Sequence, residues 1–186
     1  MNLNGMNIST ERLILKGITP SDVKSMFKYR SNPQIYEFQY LKPQTVQDVE
    51  NYIYAKTCKV PNIPNTWYPL GIFIKESDEL VGDMGIHFIG PDSLQVEIGY
   101  TLSLEYQGKG YATEAVIGVI DHLFNNFNKH RILASVDPRN TRSIALLERI
   151  GMRKEAHFKE SVWFNEEWTD DIVYAILEEE WNIEKY

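Results

Sequence analysis

The sequence predicts a mixed α/β fold, a mostly antiparallel sheet of about seven strands flanked by about four helices in the order β-α-α-β-β-β-α-β-α-β-β. Three observations predict it. The hydrophobic period changes from helical to alternating at the turn-rich segment Val60-Pro-Asn-Ile-Pro-Asn-Thr66. Three strand-like runs then follow one another with connections too short for a parallel crossover. Beyond them, Ala112, Ala115, Val116, Val119, Ile120, Leu123, Phe124 and Phe127 fall on one face at the helical period and open an alternating second half.

Each element has its own signal. Arg12-Leu-Ile-Leu-Lys16 alternates as a short strand. Helices follow at about 20–30 and 45–58, the first from Thr19-Pro20 with Val23, Met26, Phe27 and Arg30 on one face. The second starts at Thr45 with Asp48 three residues on, then Val49, Tyr52, Ile53 and Lys56. Both read as amphipathic helices lying on a sheet. Segments 67–75, 79–88 and 94–102 are rich in β-branched and aromatic residues, with turns at 76–78 and 90–93. The long helix starts near Gly110; a strand at 131–136, a helix at 141–150 stopped by Gly151, and strands at about 154–164 and 170–177 around Asn165-Glu-Glu167 complete the order.

Length and charge narrow the function. The 186 residues suit one domain with a continuous core, and 43% hydrophobic against 24% charged residues is an ordinary globular balance. No apolar run reaches membrane-spanning length and no secretory signal opens the chain, which points to the cytoplasm. Cys58 stands alone and no Cys/His spacing suits a metal. A net charge of −7 disfavours nucleic-acid binding; it suits a cationic partner, and equally plain solubility.

The informative stretch is Tyr106-Gln107-Gly108-Lys109-Gly110-Tyr111-Ala112, between a strand and the longest helix. The first N–H groups of a helix lack intrahelical partners and the peptide dipoles add partial positive charge, so an anion is stabilised there. Gly108 and Gly110 let the main chain approach phosphate oxygens, and Ala112 permits close packing. The reading is a pyrophosphate cradle; a ligand-free glycine turn is the plain alternative. A Walker loop fails on spacing. A dinucleotide fingerprint fails because Thr113 stands at the third glycine and an antiparallel meander precedes the motif.

Gln107-x-x-Gly110-x-Ala112 resembles the signature of the GCN-five-related (GNAT) N-acetyltransferases, whose loop holds the pyrophosphate of acetyl-coenzyme A. Thr10-Glu-Arg-Leu-Ile-Leu15, Val96-Glu-Ile-Gly-Tyr100, Gly108-Lys-Gly-Tyr-Ala-Thr-Glu-Ala115, Asn140-Thr-Arg-Ser143 and Glu148-Arg-Ile-Gly-Met152 are similar to its RimJ/RimL branch, which acetylates protein N-termini. The likeness spans about 8–178 of a single 1–186 domain and implies the GNAT fold.

The resemblance also implies roles. The strand before the loop would splay from its neighbour and receive the pantetheine arm, with main-chain groups near Tyr100, Thr101 and Leu102 bonding the coenzyme beside Gln107, Gly108, Lys109, Gly110, Tyr111 and Ala112. Asn140 would bond the same arm, or simply cap its helix. Acetyl transfer needs a base to strip the amine and a group to receive the thiolate. Glu97 is the first candidate base, a carboxylate in a mostly apolar strand, although alternation alone does not say which face meets the cleft. Ser143 matches the branch serine placed near the sulfur. Two departures stand out: Leu147 occupies the position of a common family tyrosine, and Val162 that of a branch carboxylate, with Glu160 nearby.

The remaining polar and aromatic residues carry no motif. His87, His122, His130 and His157 lack metal spacing and are assigned no catalysis; Cys58 reads as a small buried hydrophobe. Trp67, Tyr68, Trp163, Phe164 and Trp168 serve core packing or an acceptor pocket. The expected activity is direct acetyl transfer to a primary amine, of a protein N-terminus or of a small cation such as a polyamine or aminoglycoside. The alternative is an inactive coenzyme-binding module. No metal, nucleic acid or membrane is implied, and the oligomeric state is open, a homodimer included.

Overall fold

Alternating apolar residues make the strands of this protein and a 3.6-residue apolar stripe makes its main helix, and the two surfaces bury each other. The structure is a computed structural model that describes residues 5–55 and 59–181. Among them, β1 (Asn7–Ser9), β2 (Leu13–Gly17), β3 (Thr66–Ile74), β4 (Leu80–Ile89), β5 (Gln95–Leu102), β6 (Arg131–Val136), β7 (Arg153–Phe164) and β8 (Glu167–Leu177) form one sheet. Its order is β1-β2-β3-β4-β5-β6-β8-β7. Only β5 and β6 run parallel; the other neighbours are antiparallel. The helices are α1 (Val23–Arg30), α2 (Pro33–Tyr36), α3 (Val46–Ala55), α4 (Tyr111–Phe127), α5 (Thr141–Arg149) and α6 (Glu178–Trp181).

The expected fold class stands, with additions at its margins. The sheet gains an eighth strand because β1 is too short to show a period; it is held by register with β2, Ile8 facing Leu15. Pro33 starts the single turn of α2, and the Asn32 side chain caps it by accepting from the Gln34 N–H. The last hairpin turns on Asn165 and Glu166, both left-handed at φ 52° and 63°, so β8 starts earlier than the turn residues suggest. Lys56 and Cys58, at the expected end of the second helix, lie outside the described residues.

Each face of the sheet carries its own core. On one face Val116, Val119, Ile120, Leu123 and Phe124 of α4, Leu146 and Leu147 of α5 and Ile150 just after it pack on Val96, Ile98, Ile132 and Tyr174. At about 1.5–3 kcal/mol for each fully buried side chain, this contact dominates what local propensity adds to α4. On the other face Val23, Met26, Val49 and Ile53 of α1 and α3 pack on Phe73 and Leu80. A buried ion pair fixes this second layer. Arg30 of α1 forks onto Asp83 of β4, Nε to Oδ1 at 2.9 Å and Nη2 to Oδ2, while the Tyr29 hydroxyl donates to the same carboxylate at 2.6 Å. Burial opposes the Arg30 charge, but Asp83 outweighs it and holds the guanidinium's pKa raised.

Candidate active site

The parallel ladder between β5 and β6 is short. It pairs Gln95 with Arg131, Val96 with Ile132 and Glu97 with Leu133, and ends there, although β5 runs to Leu102 and β6 to Val136. The two strands therefore part in the middle of the sheet. At the parting, a side chain built on Gly99 would meet no atom within 4 Å. Tyr100 sits one residue further along β5, and its hydroxyl lies 2.7 Å from Ser143 Oγ of α5. Burial pushes the Tyr100 phenol up to about 12, against the opposing pull of the Ser143 hydrogen bond. The Thr101 hydroxyl is buried without a hydrogen-bond partner among the described residues.

The mouth of this wedge is closed by the loop entering α4. Gly108 and Gly110 are left-handed at φ 74° and 83°, and a Cβ on Gly110 would stand 3.2 Å from Arg12 Nη2. The Gln107 side chain ties the loop down on two sides, donating to the Leu102 carbonyl at 2.9 Å and accepting from Arg142 Nη1 of α5 at 3.0 Å. Glu114 is the first residue whose N–H closes onto the loop, bonding the Gly110 carbonyl at 3.0 Å. The consecutive N–H groups from Gly108 to Thr113 find no acceptor among the described residues. Together with the dipole of a 17-residue helix, they make a cluster of donors with the chemistry to hold an anion.

Across the parting, α1 to α3 and the last hairpin contribute side chains. Arg30 Nη1 reaches Gln39 Oε1 at 3.3 Å, and residues 38–42 then cross to the β7–β8 hairpin. There the Tyr40 ring meets Phe164 edge-on at 5.4 Å and Lys42 bonds Asn165. A small cavity of about 90 Å³ opens beneath, lined by Phe38, Tyr40, Ser135, Phe164, Thr169 and Asp171 among others. Although Tyr40 is largely exposed, partial burial of its hydroxyl and then the charges of Asp171 and Glu97 push its phenol up. Asp171 accepts from Ser135 Oγ at 2.5 Å, and Glu97 Oε2 lies 3.5 Å from His87 Nδ1. The His87 ring stacks on Trp67 at 4.7 Å. Among the described residues neither carboxylate pairs with a lysine or arginine, whereas Asp137 is taken by Arg139 and Asp170 by Lys159 and His157.

The order of strands and helices around this parted sheet is shared with known proteins. Residues 12–153 fit the profile of the acetyltransferase (GNAT) domain. The chain belongs to the GNAT acetyltransferase family. This GNAT protein is similar to YnaD of Bacillus subtilis, named an uncharacterized N-acetyltransferase, with 32% identity over 178 residues covering 95% of this chain and 100% of the relative. A GNAT-family acetyltransferase from Bacillus anthracis has the same fold at TM-score 0.84 and 30% identity, over 94% of this chain and 100% of that one. Mycobacterium smegmatis RimJ in complex with CoA-disulfide shares the fold at TM-score 0.81 and 24% identity, over 95% and 89% of the two chains. The GNAT chain is thus an acyltransferase of the N-acetyltransferase kind.

Within this GNAT fold the sequence candidates fall into two groups. Tyr100, Leu102, Gln107, Gly108, Lys109, Gly110, Tyr111, Ala112, Asn140 and Ser143 gather at the α4 and α5 ends of the parted strands. Asn140 acts as the helix cap, its Oδ1 accepting from the Ser143 N–H at 3.2 Å, while its amide nitrogen has no acceptor among the described residues. Glu97 lies apart from them. Val96 and Ile98 enter the α4 core, so Glu97 turns to the opposite face with His87. Leu147 is wholly buried in that core, and Val162 borders the small cavity. Glu160 sits in a bulge at φ 44° with its N–H bonded to Asp170. Of the aromatics, Tyr68 packs in the core, Phe164 lines the cavity, and Trp163 and Trp168 form an exposed pair. Sequence reasoning passed over His87, Tyr40 and Asp171. The first was set aside for want of metal spacing, and the others are brought together only by the parted sheet.

Proposed function

We propose that this acetyltransferase moves the acetyl group of acetyl-coenzyme A onto the primary amine of a small cationic acceptor, by direct attack in a ternary complex, with residues 1–186 working as one cytoplasmic unit. The single observation that supports it most is the run of unbonded N–H groups from Gly108 to Thr113 at the mouth of the parted β5 and β6. These amides would cap the diphosphate. The pantetheine arm would then lie along Tyr100 to Leu102, within reach of the Asn140 amide, and bring the thioester to the parting. The residues fit such a guest, since beyond Glu97 the main chain of β5 has no ladder partner on β6 and is left to bond one.

The chemistry on the far side needs a base. Glu97, alone or through a water, takes a proton from the ammonium; the freed amine attacks the thioester carbonyl, the C–S bond breaks, and the departing thiolate is met by Ser143 backed by the Tyr100 hydroxyl. The carboxylates Glu97 and Asp171, which have no lysine or arginine partner among the described residues and act on the Tyr40 phenol, favour a cation over a neutral amine. The test is free-thiol release from acetyl-coenzyme A across polyamines, aminoglycosides and N-terminal peptides. Release with the small cations is expected. Release with peptides alone would replace the acceptor, and thermal stabilisation by acetyl-coenzyme A without release on any amine would make the chain a binding module.

A further inference from the structure

We infer that Arg12 and Glu114, with Thr10, form a positioning clamp that aims the loop amides at the coenzyme diphosphate; the inference rests on the reading that residues 107–112 receive that group. The contacts join the start of the chain to a loop nearly one hundred positions later. Glu114 Oε1 accepts from Thr10 Oγ1 and from the Arg12 N–H, each at 2.6 Å, and Oε2 accepts from Arg12 Nε at 2.7 Å. Thus oriented, the guanidinium lies over the Tyr111 ring at 4.5 Å and its Nη1 donates to the Lys109 carbonyl at 3.0 Å. That last bond gives the clamp its function. The peptide between Lys109 and Gly110 is trans and planar, so holding its C=O toward Arg12 turns the Gly110 N–H the opposite way. The next carbonyl, of Gly110, is taken by the Glu114 N–H. Two successive carbonyls, of Lys109 and Gly110, are therefore occupied and held away from an anion at the Gly110 N–H.

The charges agree with this arrangement. Burial pushes the Glu114 carboxyl up, but the hydrogen bonds from Thr10 and Arg12 together outweigh it and hold it below the usual range, so the clamp is ionised at neutral pH. A carboxylate so close to an anion site would repel it; here that charge is neutralised by Arg12, whose side chain remains on the loop. Glu114 is a residue of the first turn of α4 whose role is to set an angle and not to touch the ligand.

Two acetyl donors separate positioning from general stability: acetyl-coenzyme A, and S-acetylpantetheine, which has the thioester and arm but no diphosphate. Glu114→Gln is expected to lower kcat/KM for acetyl-coenzyme A roughly tenfold, the size expected for losing a charged hydrogen bond, with kcat at saturation kept and kcat/KM for S-acetylpantetheine unchanged. Arg12→Gln, which leaves the Thr10 bond to Glu114 in place, should give the same donor-selective loss and decides the matter if the first variant does not fold. Equal losses on both donors, or none on either, would overturn the clamp. If the unmodified protein uses both donors equally well, the loop does not read a diphosphate and the underlying assignment falls first.

Discussion

The two sides of the parted sheet are built from different materials. On the side proposed to receive the coenzyme, the groups on offer are main-chain amides, set by two left-handed glycines and braced by Gln107, Arg12 and Glu114. On the side proposed for the acceptor they are side chains: Glu97 from β5, Asp171 from β8 and Tyr40 from the 38–42 crossing, drawn from three distant segments. A backbone surface recognises what every member of a family shares, because it hardly depends on residue identity. A side-chain surface changes with single substitutions and is where acceptors are chosen. The difference teaches where to look for each property in relatives of this fold.

The sharpest way to break the comparison is at the joint between layers. Asp83→Ala leaves Arg30 charged and buried with its partner gone, and should cost about 3–5 kcal/mol of stability, read as a lower midpoint in urea unfolding. It should also loosen the 38–42 crossing through Gln39, so acceptor KM should rise more than coenzyme KM in whatever protein stays folded. Next in size, Glu97→Gln should lower kcat about a hundredfold if the carboxylate is the base, with acetyl-coenzyme A affinity by calorimetry unchanged. A loss of coenzyme affinity instead would erase the division of labour. Gly110→Val should do the reverse, weakening acetyl-coenzyme A about thirtyfold, because a β-branched residue is strained at φ 83° and crowds Arg12.

The smallest effect is on acid stability. Glu114 and Asp137 are held below the ordinary carboxylate range, each against a burial that pushes it up, by hydrogen bonds from Thr10 and Arg12 and from Arg139. A depressed folded-state value means these pairs stabilise the fold fully above about pH 5 and cease to do so as pH falls through the lowered values. The melting temperature should be flat near neutrality and decline on acidification, and Glu114→Gln should make that decline shallower.

What could be read in the sequence followed from periodicity and loop chemistry. The α4 stripe buries one face, and such burial leaves a period; the meander strands, with β3 and β4 buried on both faces along much of their length, show instead as β-branched and aromatic runs between turns; β1, with a single buried residue, leaves neither. Gly108 and Gly110 were legible because only backbone geometry explains two glycines at a strand-to-helix junction. The face of Glu97 was not, since alternation is symmetric until a helix covers one side. Nor was the partnership of Arg12 with Glu114, because no local rule joins a charged residue in the first strand hairpin to one in a helix a hundred positions away. Asp171 was hidden for the same reason, its meaning coming from Ser135 and Tyr40 and not from its own neighbours.

The early end of the β5–β6 ladder has a cost as well as a use. It leaves a raw strand margin in the interior, the kind that elsewhere recruits a stranger and seeds association between chains. On the proposed reading, in which the coenzyme arm fills that margin, the protein is sturdiest during turnover. Starved of that reactant, it should be nicked sooner by proteases and clump more readily on storage.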